Sequence, residues 1–171
     1  LAEFNIRHKF PRAVVRESET LKIPPLKGRR DLRRLPFVTI DGSDARDFDD
    51  AVYAEPLNDG AWRLKVAIAD VSYYVRPGSA LDLEARLRGN SVYLPDRVVP
   101  MLPEVISNDL CSLRPLEDRA AMVAEIIIDK DGRRQSVAIH RALMKSYSRL
   151  TYDQVQAVYD GTLDEAGCAV P

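Results

Sequence analysis

At 171 residues the chain has the length of one ordinary domain, and 46% hydrophobic residues suffice for a sizeable core. Lys and Arg total 25 against 26 Asp and Glu, which excludes a wholly basic nucleic-acid-binding surface but not a local basic patch. Of those 25 basic residues 19 are Arg, the better fork for phosphate. Cys111 and Cys168 form neither a CxxC pair nor a disulfide framework and fit a reducing cytoplasm. With His8 and His140 the only histidines, any metal should be held by oxygen. Neither a membrane-length apolar stretch nor a signal-peptide core is present, so a cytoplasmic protein without membrane association is expected. Starting at Leu1 rather than Met and ending abruptly at Gly167 to Pro171, the sequence reads as a piece of a longer polypeptide.

From Leu1 to about Leu21 the apolar positions are irregular and broken by Pro11, which predicts two short helical pieces. Lys22 to Arg34 reads as a connecting segment, with Pro24, Pro25 and Gly28 as breakers and Asp31 the single acid among six basic residues. Leu35 to Ile40 reads as a short buried strand ending at Asp41. Asp50 to Glu55 and Trp62 to Ala69 are β-rich runs around Asn58-Asp59-Gly60, a hairpin signal because Asp-Gly readily supplies positive φ. Ser79, with Asp82 three residues on, predicts a helix start, and Gly89 its end. Ser91 to Leu94 and Val98-Val99, interrupted by prolines, predict extended irregular chain. Ala121 to Ile128 and Ser136 to Leu143 flank Asp129-Lys-Asp-Gly132 as a second hairpin of the same sheet. An amphipathic helix follows over Thr151 to Tyr159, capped by Thr151 and stopped at Gly161. Together these predict an α+β fold: a mixed, largely antiparallel sheet with short flanking helices.

The chemistry concentrates at Asp41, Asp44, Asp47, Asp49 and Asp50, five carboxylates within ten residues offset only by Arg46. Such repulsion is relieved either by pointing the side chains into water or by a cation of high charge density. The spacing fits a helix-loop-helix calcium loop poorly, since the central Gly and distal Glu are missing. A strand end followed by a tight loop can, however, bring separated carboxylates to one point on a rigid scaffold, as magnesium chemistry requires. Carboxylates alone do not name a substrate.

The run Leu35-Pro-Phe-Val-Thr-Ile-Asp-Gly-Ser-Asp-Ala-Arg-Asp-Phe-Asp-Asp-Ala-Val-Tyr53 resembles the signature of the RNase II and RNase R family, in its catalytic RNB domain. Val66 to Val75, Gly89 to Pro95, Pro100 to Pro103, Ser107 to Leu113 and Arg149 to Tyr152 resemble successive family segments in the same order, nearer in wording to RNase R than to RNase II. Residue by residue, the resemblance implies that Asp41, Asp47, Asp49 and Asp50 are the catalytic aspartates and hold Mg2+, for which Mn2+ can substitute. Asp44 falls outside that set and is expected to support it. Tyr93 falls on the family's tyrosine that stacks near the 3′-terminal nucleotide; without the resemblance it would read as an ordinary strand aromatic. Asp70 is expected to fix a turn, Trp62, Tyr73 and Tyr74 to pack, and Cys111 to be a buried apolar residue. The basic segment Lys22 to Arg34 is expected to be a solvated linker, with RNA phosphates as the alternative partner.

The resemblance implies a parent enzyme that is a processive 3′ to 5′ exoribonuclease, with single-stranded RNA as partner, nucleoside 5′-monophosphates as products and no obligate protein partner. Residues 1–34 are expected to lead into the catalytic domain and residues 35–171 to form its N-terminal portion. The family's oligonucleotide-binding barrels, and the later part of the catalytic domain with its arginine and glutamate, are not in this sequence. The chain alone is therefore expected to have little or no exonuclease activity. The competing reading is a non-catalytic RNA- or protein-binding module derived from the same domain; a small-molecule phosphatase is a third.

Overall fold

In the computed structural model, which describes residues 6–162, the two hairpins legible in the sequence are joined into a ring of strands. The strands β1 (Arg30–Asp31), β2 (Phe37–Asp41), β3 (Asp50–Pro56), β4 (Trp62–Ala69), β7 (Asp118–Ile128) and β8 (Arg134–Thr151) form one sheet. A separate short ribbon pairs β5 (Val92–Tyr93) with β6 (Val98–Val99) where irregular chain was expected. The first hairpin turns at Asp59 (φ 61°) and Gly60 (φ 76°), and the second places Gly132 at φ 78°.

β8 decides the architecture. Its first part pairs antiparallel with β7, from Arg134 opposite Ile128 to Lys145 opposite Asp118. Its last part, Ser146 to Thr151, runs parallel to β2, Thr151 lying opposite Asp41. Since β2 pairs β3, β3 pairs β4 and β4 pairs β7, the circuit returns to its start. Small side chains fill the interior where strands are in register: Ala51 faces Ala67, and Ala69, Ala121 and Ala142 lie across from one another, all buried. Phe37, Val123 and Met144, each with no exposed surface, complete that core.

Helices α1 (Arg12–Glu19), α2 (Val71–Tyr74), α3 (Ala80–Arg88) and α4 (Tyr152–Tyr159) flank the ring. Ser79 accepts from the Asp82 N–H (3.3 Å), Gly89 ends α3 at φ 78°, and Thr151 with Gln154 forms a capping box at α4. Two expectations need correction. Among the described residues up to Leu21 there is one helix, starting after Pro11, whose extended conformation (ψ 150°) separates it from the non-helical residues 6–10; positions 1–5 lie outside the described residues. Lys22 to Arg34 is also not simply a solvated connection, because β1 adds to β8 and Arg29 is drawn inside. The cause is Asp70, a fully buried carboxylate that accepts from Arg29 (2.7 Å) and from the Ser72 hydroxyl (2.8 Å). Burial alone would raise the Asp70 carboxyl; the Ser72 and Arg29 hydrogen bonds outweigh it and hold the group below its ordinary value.

Candidate active site

Asp41 is the last residue of β2 and Asp50 the first of β3, so the acidic run is a connection between antiparallel neighbours on the closed sheet. Residues from Gly42 to Asp49 have no sheet hydrogen bonds to shape them, and contacts from three other segments do so instead. From β8, the Arg149 guanidinium donates to the carbonyls of Gly42 (2.8 Å) and Ser43 (2.7 Å) and lies over the Phe48 ring at 5.1 Å. From the turn after the π-helical residues Ile106–Leu110, the Ser112 hydroxyl accepts from the Phe48 N–H (3.1 Å) and donates to the Arg46 carbonyl (3.1 Å). Leu113 N–H donates to the Phe48 carbonyl (2.7 Å), and Ala69 N–H, at the end of β4, to the Asp49 carbonyl (2.9 Å). Phe48 is buried beneath the loop, leaving its acidic neighbours on the outer side.

Four of the carboxylates feel one another. Desolvation and then the charge of Asp50 raise the Asp41 carboxyl above its usual range, with Asp47 adding to the effect and Arg149 opposing it. Asp49 keeps solvent exposure, yet desolvation by surrounding atoms followed by the charges of Asp47, Asp50 and Asp41 raises it too. One oxygen of Asp41, Oδ2, is buried without a hydrogen-bond partner. Among the described residues, no three Asp, Glu, His or Cys side chains stand together as a ready-made metal cage. The four carboxylates are thus coupled in charge without forming such a cage.

Asp44 is exposed and turns back on its own loop, its Oδ1 lying 3.2 Å from where a Cβ on Gly42 would stand. Tyr93 is 69% exposed and lines, with Asp44, Asp47, Arg97 and Asn108, an open groove beside the acidic loop. The Asp47 charge foremost, then burial and Asp49, push its phenol above the ordinary value. Cys111 is buried, and desolvation first, then the charges of Asp49 and Asp70, push its thiol up to about 12, so it is no nucleophile. Tyr74 is core, whereas Trp62 stays 49% exposed at the rim. Three residues escaped sequence reasoning: Arg149, Ser112 and the buried Arg119. All lie in or near segments already quoted for their resemblance; the partners of Arg149 and Ser112 are distant in sequence, while those of Arg119 lie within the turn that precedes it.

The mixed α+β fold with its mostly antiparallel sheet is shared with solved ribonucleases of RNase R type. RNase R of Mycoplasma genitalium, in complex with ribose-methylated single-stranded RNA, superimposes with a TM-score of 0.85 at 38% identity, over 91% of this chain and 25% of that one. The same protein with double-stranded RNA gives 0.87 at 37% identity, over 94% and 29%. The chain belongs to the RNB domain family, whose model matches residues 29–168. It is 57% identical over 160 residues to ribonuclease R of Vibrio parahaemolyticus, covering 91% of this chain and 19% of that protein. To ribonuclease R of Escherichia coli it is 53% identical over 168 residues, covering 96% and 21%. It therefore spans about a fifth of the length of these relatives. Yeast Ssd1, a pseudonuclease, shares the fold at 21% identity with a TM-score of 0.73.

Proposed function

We propose that this chain is the N-terminal portion of the catalytic domain of a processive 3′ to 5′ exoribonuclease, which hydrolyses single-stranded RNA to nucleoside 5′-monophosphates. Asp41, Asp47, Asp49 and Asp50 are its catalytic and metal-holding residues, Tyr93 stacks on a base near the 3′ end, and Asp44 braces the loop. The observation that carries the reading is the electrostatics of the loop: Asp41 and Asp49 are both raised, by desolvation first and by neighbouring carboxylates next, while Asp41 Oδ2 is buried without a hydrogen-bond partner. An all-oxygen donor set of this charge fits Mg2+, or Mn2+ in its place. When bound, the metal would supply activation of water and stabilisation of the leaving oxygen of a phosphodiester. The protein's own part is positional: strand ends fix Asp41 and Asp50, and the Phe48 clamp fixes the residues between them.

Because a pseudonuclease carries the same fold, fold alone does not argue for catalysis. The four family aspartates all standing on this loop favour the catalytic reading over a binding module. The test uses the full-length polypeptide and a 5′-labelled single-stranded RNA with Mg2+. Asp49→Asn is expected to reduce 3′-end trimming by more than the roughly 10- to 100-fold that loss of an outer-shell partner costs. The 171-residue chain alone should show little or no trimming. Equal trimming by the full-length protein and its Asp49→Asn form would reject the assignment.

A further inference from the structure

The loop between Gly42 and Asp49 is hydrogen-bonded from beneath by the hydroxyl of Ser112. We propose that Ser112, held in turn by Arg119, is a positioning residue for the carboxylates, setting the separation of Asp47 from Asp49; this rests on the function proposed above.

Ser112 has no exposed surface, and its hydroxyl makes two hydrogen bonds in opposite senses. It accepts from the Phe48 N–H at 3.1 Å and donates to the Arg46 carbonyl at 3.1 Å. The two backbone groups it joins flank Asp47, so one oxygen closes the chain around that residue as a turn hydrogen bond would elsewhere. On the other side, the Leu113 N–H holds the Phe48 carbonyl (2.7 Å) and so fixes the approach to Asp49. Adjacent residues of one turn thereby hold both backbone groups of Phe48, and a shift of that turn moves both acids together.

The turn itself is tied to the barrel by a buried guanidinium. Arg119 lies on β7, is 2% exposed, and its Nε donates to the carbonyls of Ser112 (2.9 Å) and Asp109 (3.0 Å). Its Nη2 donates to the carboxylates of Asp109 (2.8 Å) and Glu117 (2.7 Å), which balance the charge. Burying an arginine is costly unless its donors find partners, and here Nε, Nη1 and Nη2 all donate to main-chain or acid groups between Asp109 and Asp118. The path from sheet to site is then continuous: β7, Arg119, the Ser112 carbonyl, the Ser112 hydroxyl, and the two backbone groups around Asp47. Ser112 and Arg119 do not line the groove beside Tyr93, whereas Arg46 and Asp47 do, so the hydroxyl acts on that wall from beneath and has no contact with the groove itself.

The experiment compares the full-length protein with its Ser112→Ala, Ser112→Thr and Asp49→Asn forms. The readouts are Mn2+ half-saturation by calorimetry, kcat and KM for single-stranded RNA, amide hydrogen exchange at Phe48, and Tm. Ser112→Ala should raise the Mn2+ half-saturation roughly 10-fold, within the range for outer-shell partners, and lower kcat with KM unchanged. Phe48 should lose amide protection while the β7–β8 ladder keeps its own, and Ser112→Thr, which retains the hydroxyl, should recover most of the Mn2+ affinity. Unchanged half-saturation in Ser112→Ala, or a loss of activity that merely tracks a lower Tm, overturns the inference. Should Ser112→Ala not fold, the unaltered protein decides: Phe48 exchanging as fast as an open loop overturns it, and protection equal to the ladder supports it. Full activity in Asp49→Asn would instead overturn the function on which the inference rests.

Discussion

At the scale of single residues, Arg149 is the one guanidinium that opposes the raised Asp41 carboxyl while pinning two loop carbonyls. Divalent metal binds only ionised carboxylates, so affinity falls as pH drops through their values, and raised values start that fall at a higher pH. Removing Arg149's charge leaves burial and Asp50 to raise Asp41 further. Arg149→Gln should therefore weaken Mn2+ binding, and by a larger factor at about pH 5, close to the ordinary carboxylate range, than at about pH 7.5; titrations at the two pH values check this, and an equal loss at both would assign Arg149 a purely geometric role. The acidic run was legible in the sequence because its members fall within ten residues and follow an apolar strand. Arg149 and Ser112 were not, since a side chain's use depends on what a fold sets against it: Arg149 meets Gly42 from 107 residues away, and Ser112 meets Arg46 from 66.

At the scale of elements, helices and hairpins announced themselves through local chemistry: Ser79 and Thr151 as caps, Asp59-Gly60 and Gly132 as turns with positive φ. Burial of charge did not. Glu84, on α3, is 4% exposed and paired with Arg7 (2.7 Å) and Arg88 (3.0 Å), a junction that ties residues ahead of α1 to α3. The Arg7 hydrogen bond first, then that of Arg88, hold the Glu84 carboxyl below its usual value against the opposing effect of burial. A depressed acid stabilises the fold above the ordinary glutamate range, and that contribution is lost as pH falls through the lowered folded value. Glu84→Gln should thus lower Tm at neutral pH and flatten the decline of Tm below about pH 4. Thermal melts from pH 7 to pH 3 are the check: parallel curves for both proteins would show that the junction does not couple to pH. The basic segment before β2 illustrates the same limit, as Arg29 looks like a linker charge until Asp70 is found buried beside it.

For the whole molecule, sheet composition was readable but sheet closure was not. Periodicity gives the strands and their faces, whereas the change of partner within β8, antiparallel to β7 and then parallel to β2, leaves no local sign apart from the strand's length of 18 residues. Among the described residues, no helix is long and apolar enough to cross a membrane. The closure has a kinetic consequence. A ring sealed by its last strand relies on pairings distant in sequence, and such pairings are slow because loop entropy is spent before contacts return it. The carboxylate loop is clamped by that same last strand, so crowding of its charges is met only after the barrel has closed. A cation that relieves the crowding then acts beyond the folding barrier. In stopped-flow experiments on this chain, Mg2+ should slow unfolding and leave the refolding rate nearly unchanged; a refolding rate that rises with Mg2+ would put the loop in the folding nucleus. The order of events has a practical meaning for the cell: a nascent chain halted before β8 would carry Asp41, Asp47, Asp49 and Asp50 without the strand end that clamps their loop.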